Sequence, residues 1–188
     1  MKIAITGGIG SGKSFVCHLL SNRGIDVYDC DREAKRLMDS SWDIRRQLTS
    51  LVGKDVYAEN RLNKAVLASF LLLSEENKQA VNNIVHPAVA NDFLQTGLEW
   101  LESAILFDSG FHRRIAFDHI VCVTASLETR LERIMQRDSI ARERAMEWIG
   151  SQMPQEKVVE RSDFEIVNDY HQNLDEQINQ IIHTIYKH

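Results

Sequence analysis

An α/β fold is predicted for this 188-residue chain: a five-stranded parallel sheet flanked by helices, with a helical insertion. Three observations predict it. A short apolar run at the N-terminus passes directly into a glycine-rich stretch with the spacing G-x-x-x-x-G-K-[ST]. Four further short apolar runs recur along the chain, separated by segments with helical spacing. Between residues 32 and 100 no comparable strand signal occurs, so that stretch is expected to be helical.

The elements justify this in order. Residues 2–6 (KIAIT) are β-branched and apolar, as in a buried strand that ends in a glycine loop. The following FVCHLLSNRG has apolar residues at helical spacing and a glycine, Gly24, placed as a helix C-cap. Residues 25–28 form the second strand, which completes a βαβ unit with a right-handed crossover and sets this strand beside the first. Residues 104–107 (AILF), 119–124 (HIVCVT) and 164–167 (FEIV) are the remaining strands. Two of these are nearly continuous apolar runs, as expected of strands covered by helices on both faces.

Within the insertion, residues 32–38, 44–51, 64–73 and 75–100 are candidate helices, the last broken or bent at Pro87. Residues 136–153 are polar and arginine-rich with a weak apolar stripe. They form either a mobile lid or a solvated surface helix. The tail, 173–188, has the pattern of an amphipathic helix packing on the sheet. One domain results, with a core of about residues 1–30 and 101–188, an insertion of about 31–100 and a lid of about 136–153.

Composition narrows the function classes. A hydrophobic content of 44% supports a packed core and, with only two prolines, excludes a disordered chain. The net charge of −5 offers no broad basic surface, which argues against nucleic-acid binding. A polyanionic ligand must therefore be held by a local positive site. Cys17, Cys30 and Cys122 are widely spaced without a C-x-x-C, as expected of small core thiols in a reducing compartment. The longest apolar stretch, residues 65–73, is far shorter than a membrane span of about 20 residues. No signal-peptide pattern precedes the first strand, so a cytoplasmic location is expected, with no membrane and no obligatory protein partner.

The glycine-rich stretch, Gly7-Gly8-Ile9-Gly10-Ser11-Gly12-Lys13-Ser14, carries the chemistry. Glycines let backbone N–H groups approach phosphate oxygens without an intervening Cβ. The next helix points its positive end at the same place. In this P-loop, Lys13 reaches the β- and γ-phosphates of a nucleoside triphosphate and the Ser14 hydroxyl coordinates Mg²⁺. A GTPase reading is disfavoured, because no N/T-K-x-D is present and Asp108-Ser109-Gly110 is one residue too short for D-x-x-G. Asp29 and Asp31 follow the second strand. A carboxylate there either takes the proton of an attacking hydroxyl or caps the next helix. The run ETRLER, residues 128–133, has opposite charges at helical spacing, as on a solvated helix face.

At this point a resemblance becomes specific. ITGGIGSGKS, followed after a short helix by GIDVYDCD, resembles the N-terminus of dephospho-CoA kinases. Further elements match in order. Ile84-Val85-His86-Pro87 resembles the family's L-x-H-P, and Ala104 to Asp108 its P-L-L-F-E. Gln136-Arg137-Asp138 with the later Gln152 resembles its Q-R-D and Q elements, and residues 162–168 its A-D-x-V-I-x-N. Departures are Phe15 and Ala141 in place of common threonines, Ala104 in place of proline and Asp108 in place of glutamate.

The resemblance implies a P-loop NTPase fold of the nucleoside-monophosphate-kinase type and ATP-dependent phosphorylation of the ribose 3′-hydroxyl of dephospho-CoA. It implies Asp31 as general base, with Asp29 supporting the site or holding Mg²⁺ through water. ATP would be bound by Lys13 and Ser14 and the backbone at Gly8, Ile9, Gly10, Ser11 and Gly12. Arg137 and Arg142 would come from the lid, and the insertion would bind the CoA moiety. His86 would lie on the substrate side or form a structural corner. Two other readings stay open: a kinase for another small hydroxyl compound on the same scaffold, and a nucleotide-binding regulatory module.

Overall fold

The structure, a computed structural model, describes residues 1–187, so His188 lies outside the described residues. The chain divides into two compact units, one of Met1–Tyr28 with Leu98–His188 and one of Asp29–Gly97.

The first unit begins with β1 (Ile3–Thr6), the glycine loop and α1 (Lys13–Ser21). Strand β2 (Val27–Asp29) then leads across the boundary into the second unit. That unit contains α2 (Cys30–Ser40), α3 (Trp42–Val52), β3 (Tyr57–Ala58), β4 (Arg61–Leu62), α4 (Lys64–Leu73) and α5 (Glu75–Thr96). The chain returns through β5 (Trp100–Glu102), β6 (His119–Thr124), α6 (Leu127–Asp138), α7 (Arg142–Gly150), α8 (Gln155–Val159), β7 (Phe164–Val167) and α9 (Leu174–Ile185).

The sheet has five strands in the order β2-β5-β1-β6-β7. The pairings of β1 with β5 and β6, and of β6 with β7, are parallel. Two expectations are corrected. The third strand is Trp100–Glu102, and residues 104–107 form turns instead. This strand also lies between β1 and β2, so the second strand is not the neighbour of the first. Burial explains both. Trp100 and Leu101 are 2% and 0% exposed and suit a central strand, whereas the three-residue β2, ending in Asp29, suits an edge.

The sheet's main core gathers Ile3 and Ile5 of β1, Val16 and Leu20 of α1, Val121 and Val123 of β6, and Ile178 and Ile181 of α9. Each such side chain contributes about 1.5–3 kcal/mol by leaving water. A smaller cluster of Leu131, Ile134 and Ala145 joins α6 to α7. Ile9 of the glycine loop packs against it, so this cluster braces the loop from outside.

The second unit is helical apart from a β3–β4 hairpin, which local pattern did not reveal because each strand has two residues. Glu59 and Asn60 make its turn with φ of 49° and 65°. Helix α5 runs unbroken through Pro87, so of the expected break or bend the break does not occur. Buried Val81, Val85, Val89 and Phe93 anchor it on both sides of the proline, which offsets the lost backbone hydrogen bond. Helix α2 is tied to α5 by Arg36, which donates two bonds of 2.7 Å to the Asp92 carboxylate.

Candidate active site

The glycine loop owes its shape to close approach. Gly7, Gly10 and Gly12 have φ of 146°, 80° and 87°, which side-chain-bearing residues rarely adopt. Their neighbours also leave no room. A Cβ on Gly10 would lie 2.7 Å from the Arg130 carbonyl oxygen, one on Gly7 would meet the Val123 carbonyl, and one on Gly12 the Asn168 amide. The loop is thus pressed against β6, α6 and the end of β7, which hold its backbone in place.

Lys13 opens α1 and is 8% exposed. Its Nζ donates to the Gly7 carbonyl at 2.7 Å and lies 3.9 Å from Glu102 Oε1 at the end of β5. The Ser11 hydroxyl is buried and makes no hydrogen bond among the described residues. Ser14, in the first turn of α1, is exposed. Ile9 N–H donates to Gln152 Oε1 at 2.7 Å, which links the loop to the segment after α7.

Two arginines of the charged run 128–133 and Asn168, the last residue of the 162–168 element, complete this surround. ETRLER is not a solvated face: Arg130 is 6% exposed and donates from Nε to the Ile9 carbonyl at 2.9 Å. Arg133 donates to the carbonyls of Ser11 at 3.2 Å and Asn168 at 2.9 Å. The helical spacing of Leu127, Leu131 and Ile134 puts Arg130 on the same face, of which Arg130, Leu131 and Ile134 are buried while Leu127 is exposed. That signal was available in the sequence but was outweighed by the alternating charges. Asn168, 5% exposed, donates from Nδ2 to the Ser11 carbonyl at 2.8 Å. A cavity of about 440 Å³ opens beside Gly12, lined by Phe15, Arg133, Asn168 and Tyr170. The Arg133 guanidinium stands 5.3 Å from the centre of the Tyr170 ring.

The other expected site residues are distributed as follows. Arg137, in the last turn of α6, pairs with Asp138 at 2.7 Å. Arg142, first in α7, pairs with Glu128 at 2.6 Å, and this pairing holds the Glu128 carboxyl below the usual carboxylate range. Residues 136–153 are therefore the end of α6, a turn and α7, rather than one helix. Asp108 accepts from Met153 N–H at 2.8 Å. In the second unit, Asp29 Oδ1 caps α2 by accepting from Arg32 N–H at 2.9 Å. Asp31 is exposed in the first turn of that helix, and His86 lies half-buried on α5. The structure thus gathers Gly8, Ile9, Gly10, Ser11, Gly12, Lys13 and Ser14 into one cradle. Cys122 is buried in β6, and burial pushes its thiol up to about 12.

A buried lysine, an unmatched buried hydroxyl and glycines that admit no Cβ are features of an anion cradle. The comparisons agree. A sequence profile described as dephospho-CoA kinase matches residues 1–174. The dephospho-CoA kinase of Bacteroides fragilis (strain YCH46) is 42% identical over 194 residues, covering 100% of this chain and 94% of that protein. That of Porphyromonas gingivalis is 38% identical, covering 98% and 94%. Among solved structures, a Thermus thermophilus protein matches with a TM-score of 0.85 at 29% identity, covering 99% and 97%. The Campylobacter jejuni dephospho-CoA kinase, at 21% identity and TM-score 0.69, covers 100% and 98%, and the Aquifex aeolicus shikimate kinase, at 18% and 0.55, covers 100% and 97%. These last two attest the P-loop kinase fold alone. With the profile and the curated relatives matching over nearly the whole chain, and with the phosphate cradle intact, this chain belongs to the dephospho-CoA kinase family.

Proposed function

We propose that this chain transfers the γ-phosphoryl group of ATP to the ribose 3′-hydroxyl of dephospho-CoA and so forms CoA, the last step of coenzyme A biosynthesis. The observation that carries this is the cradle, a lysine-bearing glycine loop at the head of a helix, in a chain of this family. Phosphoryl transfer of this kind requires positioning and charge stabilisation more than covalent chemistry. The backbone of Gly8, Gly10, Ser11 and Gly12 orients the triphosphate, and Lys13 places a cation beside its terminal phosphates. The backbone of Ile9 belongs to the same turn and is steadied by Gln152.

The unmatched Ser11 hydroxyl and the exposed Ser14 hydroxyl suit a polyphosphate with its divalent ion. Ser14 would hold Mg²⁺, which, when bound, neutralises charge on the phosphate oxygens. Arg137 and Arg142 act from the lid, residues 136–153, on charge that develops during transfer. Both are in surface ion pairs, which are weak enough to exchange partners. Asp31 takes the proton of the attacking hydroxyl, and its exposure at a helix start leaves it accessible to a substrate. Asp29 supports that turn through its cap, and half-buried His86 of α5 would contact the acceptor.

The test is ADP release from ATP and Mg²⁺ with dephospho-CoA, adenosine or shikimate as acceptor. Release that requires dephospho-CoA, with CoA as product, is expected. Equal release with every acceptor, or none with dephospho-CoA, refutes the proposal.

A further inference from the structure

Arg130 has an unusual setting for a charged side chain. It sits in the first turns of α6 on the apolar stripe and is 6% exposed. Among the described residues only its Nε is used in a hydrogen bond, the one to the Ile9 carbonyl. Among the described residues it forms no ion pair. The acid nearest in effect, Glu156, is exposed to solvent, and burial draws the arginine's pKa below its ordinary value. The remaining guanidinium nitrogens lie over the glycine loop. A Cβ added to Gly8 would sit 3.0 Å from Arg130 Cζ and closer still to Nη2. Gly8 is therefore the residue that lets this cation lie flat against the loop. A neighbouring cavity of about 320 Å³, lined by Arg130, Leu127, Ile149, Gln152, Gln155 and the exposed Glu156, keeps the group from being sealed in.

A largely buried cation without a carboxylate in ion-pair contact is costly to the folded chain. In a medium of low polarity, its field also reaches farther than that of an exposed lysine. We infer that Arg130 is a further determinant of nucleotide affinity, a buried cation behind the phosphate loop whose charge is matched by the polyphosphate of ATP rather than by an acid of the protein. It acts through its field and through the Ile9 carbonyl it holds, so it is a positioning residue beside Lys13. The inference rests on the ATP reading of the cradle. It assigns the affinity for triphosphate to two cations on different elements, Lys13 of α1 inside the loop and Arg130 of α6 outside it.

Arg130→Gln separates the two contributions, because glutamine can still donate to a carbonyl but carries no charge. Arg130→Lys retains charge. ATP binding by calorimetry and thermal unfolding are measured for wild type and both variants at two salt concentrations. Expected for Arg130→Gln is at least a tenfold weaker Kd for Mg·ATP with an unfolding midpoint equal to or above wild type, and a flatter salt dependence. Arg130→Lys recovers most of the affinity. A residue kept only for packing would show the opposite pattern, a lowered midpoint with Kd within twofold, and that result overturns the inference. Equal loss of affinity in both variants overturns it too. If wild type itself binds no ATP, the nucleotide reading fails and this inference falls with it. Binding by wild type that Arg130→Gln leaves unchanged overturns this inference alone.

Discussion

Replacing Gly10 by alanine isolates how tightly the phosphate loop is wedged against α6. Two costs apply. At φ of 80°, a residue with a Cβ pays about 1–2 kcal/mol for the left-handed conformation. The new methyl would also lie 2.7 Å from the Arg130 carbonyl oxygen and 3.0 Å from its Cα, which are backbone atoms of a helix that cannot swing aside. Overpacking of this kind costs roughly 1–3 kcal/mol. The total, about 2–5 kcal/mol, corresponds to roughly 4–20 °C in Tm for a chain of this length. Gly24→Ala is the control, because its φ is 78° but no atom lies within 4 Å of the added Cβ. It should lose only the conformational part, about 1–2 kcal/mol. Thermal unfolding of both variants, with and without Mg·ATP, reads the difference. Gly10→Ala should also lose most of the stabilisation that ATP confers, since the loop amides no longer converge. If Gly10→Ala unfolds no earlier than Gly24→Ala and still responds to ATP like wild type, the wedge is not what shapes the loop.

Three other outcomes are expected. Lys13→Ala should lower kcat/KM by well over tenfold, a loss greater than ~1.4 kcal/mol of transition-state stabilisation; a smaller loss in a coupled ADP assay would remove Lys13 from the phosphate site. Asp31→Asn should reduce kcat by about 10²–10⁴-fold while the Kd for ATP stays near wild type, as expected of a proton acceptor; loss of ATP binding with normal residual turnover would make it structural instead. Asp169 accepts from Ser126 N–H at 2.9 Å, and this bond holds its carboxyl below the ordinary aspartate value. A depressed carboxylate stabilises the fold above its unfolded pKa, and that contribution is lost as pH falls. Asp169→Ala should therefore unfold earlier than wild type at pH 7, and the gap should close below about pH 4; a gap that is independent of pH would contradict the assignment.

What could be read without coordinates was mostly local. The phosphate loop is a contiguous motif whose glycines, lysine and serine do their work within eight positions. Helices α1 and α9 carry their own apolar periodicity, and the helical character of residues 30–96 followed from the scarcity of strand signal, apart from one hairpin with two residues in each strand. By its place after a strand the acid at position 29 suits either chemistry or capping, and it does cap α2. The charged run at 128–133 misled, because alternating charges suggest solvent while the spacing of Leu127, Arg130, Leu131 and Ile134 suggests a buried stripe. Only packing against the loop makes the arginine part of that stripe.

The sequence by itself thus determined an α/β P-loop kinase fold, the position of its phosphate cradle and the family to which the motifs point. Those properties depend on residues close together in the chain. Tertiary structure alone decided that Trp100–Glu102 rather than residues 104–107 pairs with β1, and that this strand separates β1 from β2. It alone brought Glu102, Arg130, Gln152 and Asn168 to the glycine loop. The physical reason is the same in each case. Strand choice and the burial of a charge are set by distant partners, such as Lys13 for Glu102 and Ser11 for Asn168, 157 positions away, and local propensity carries no information about those partners.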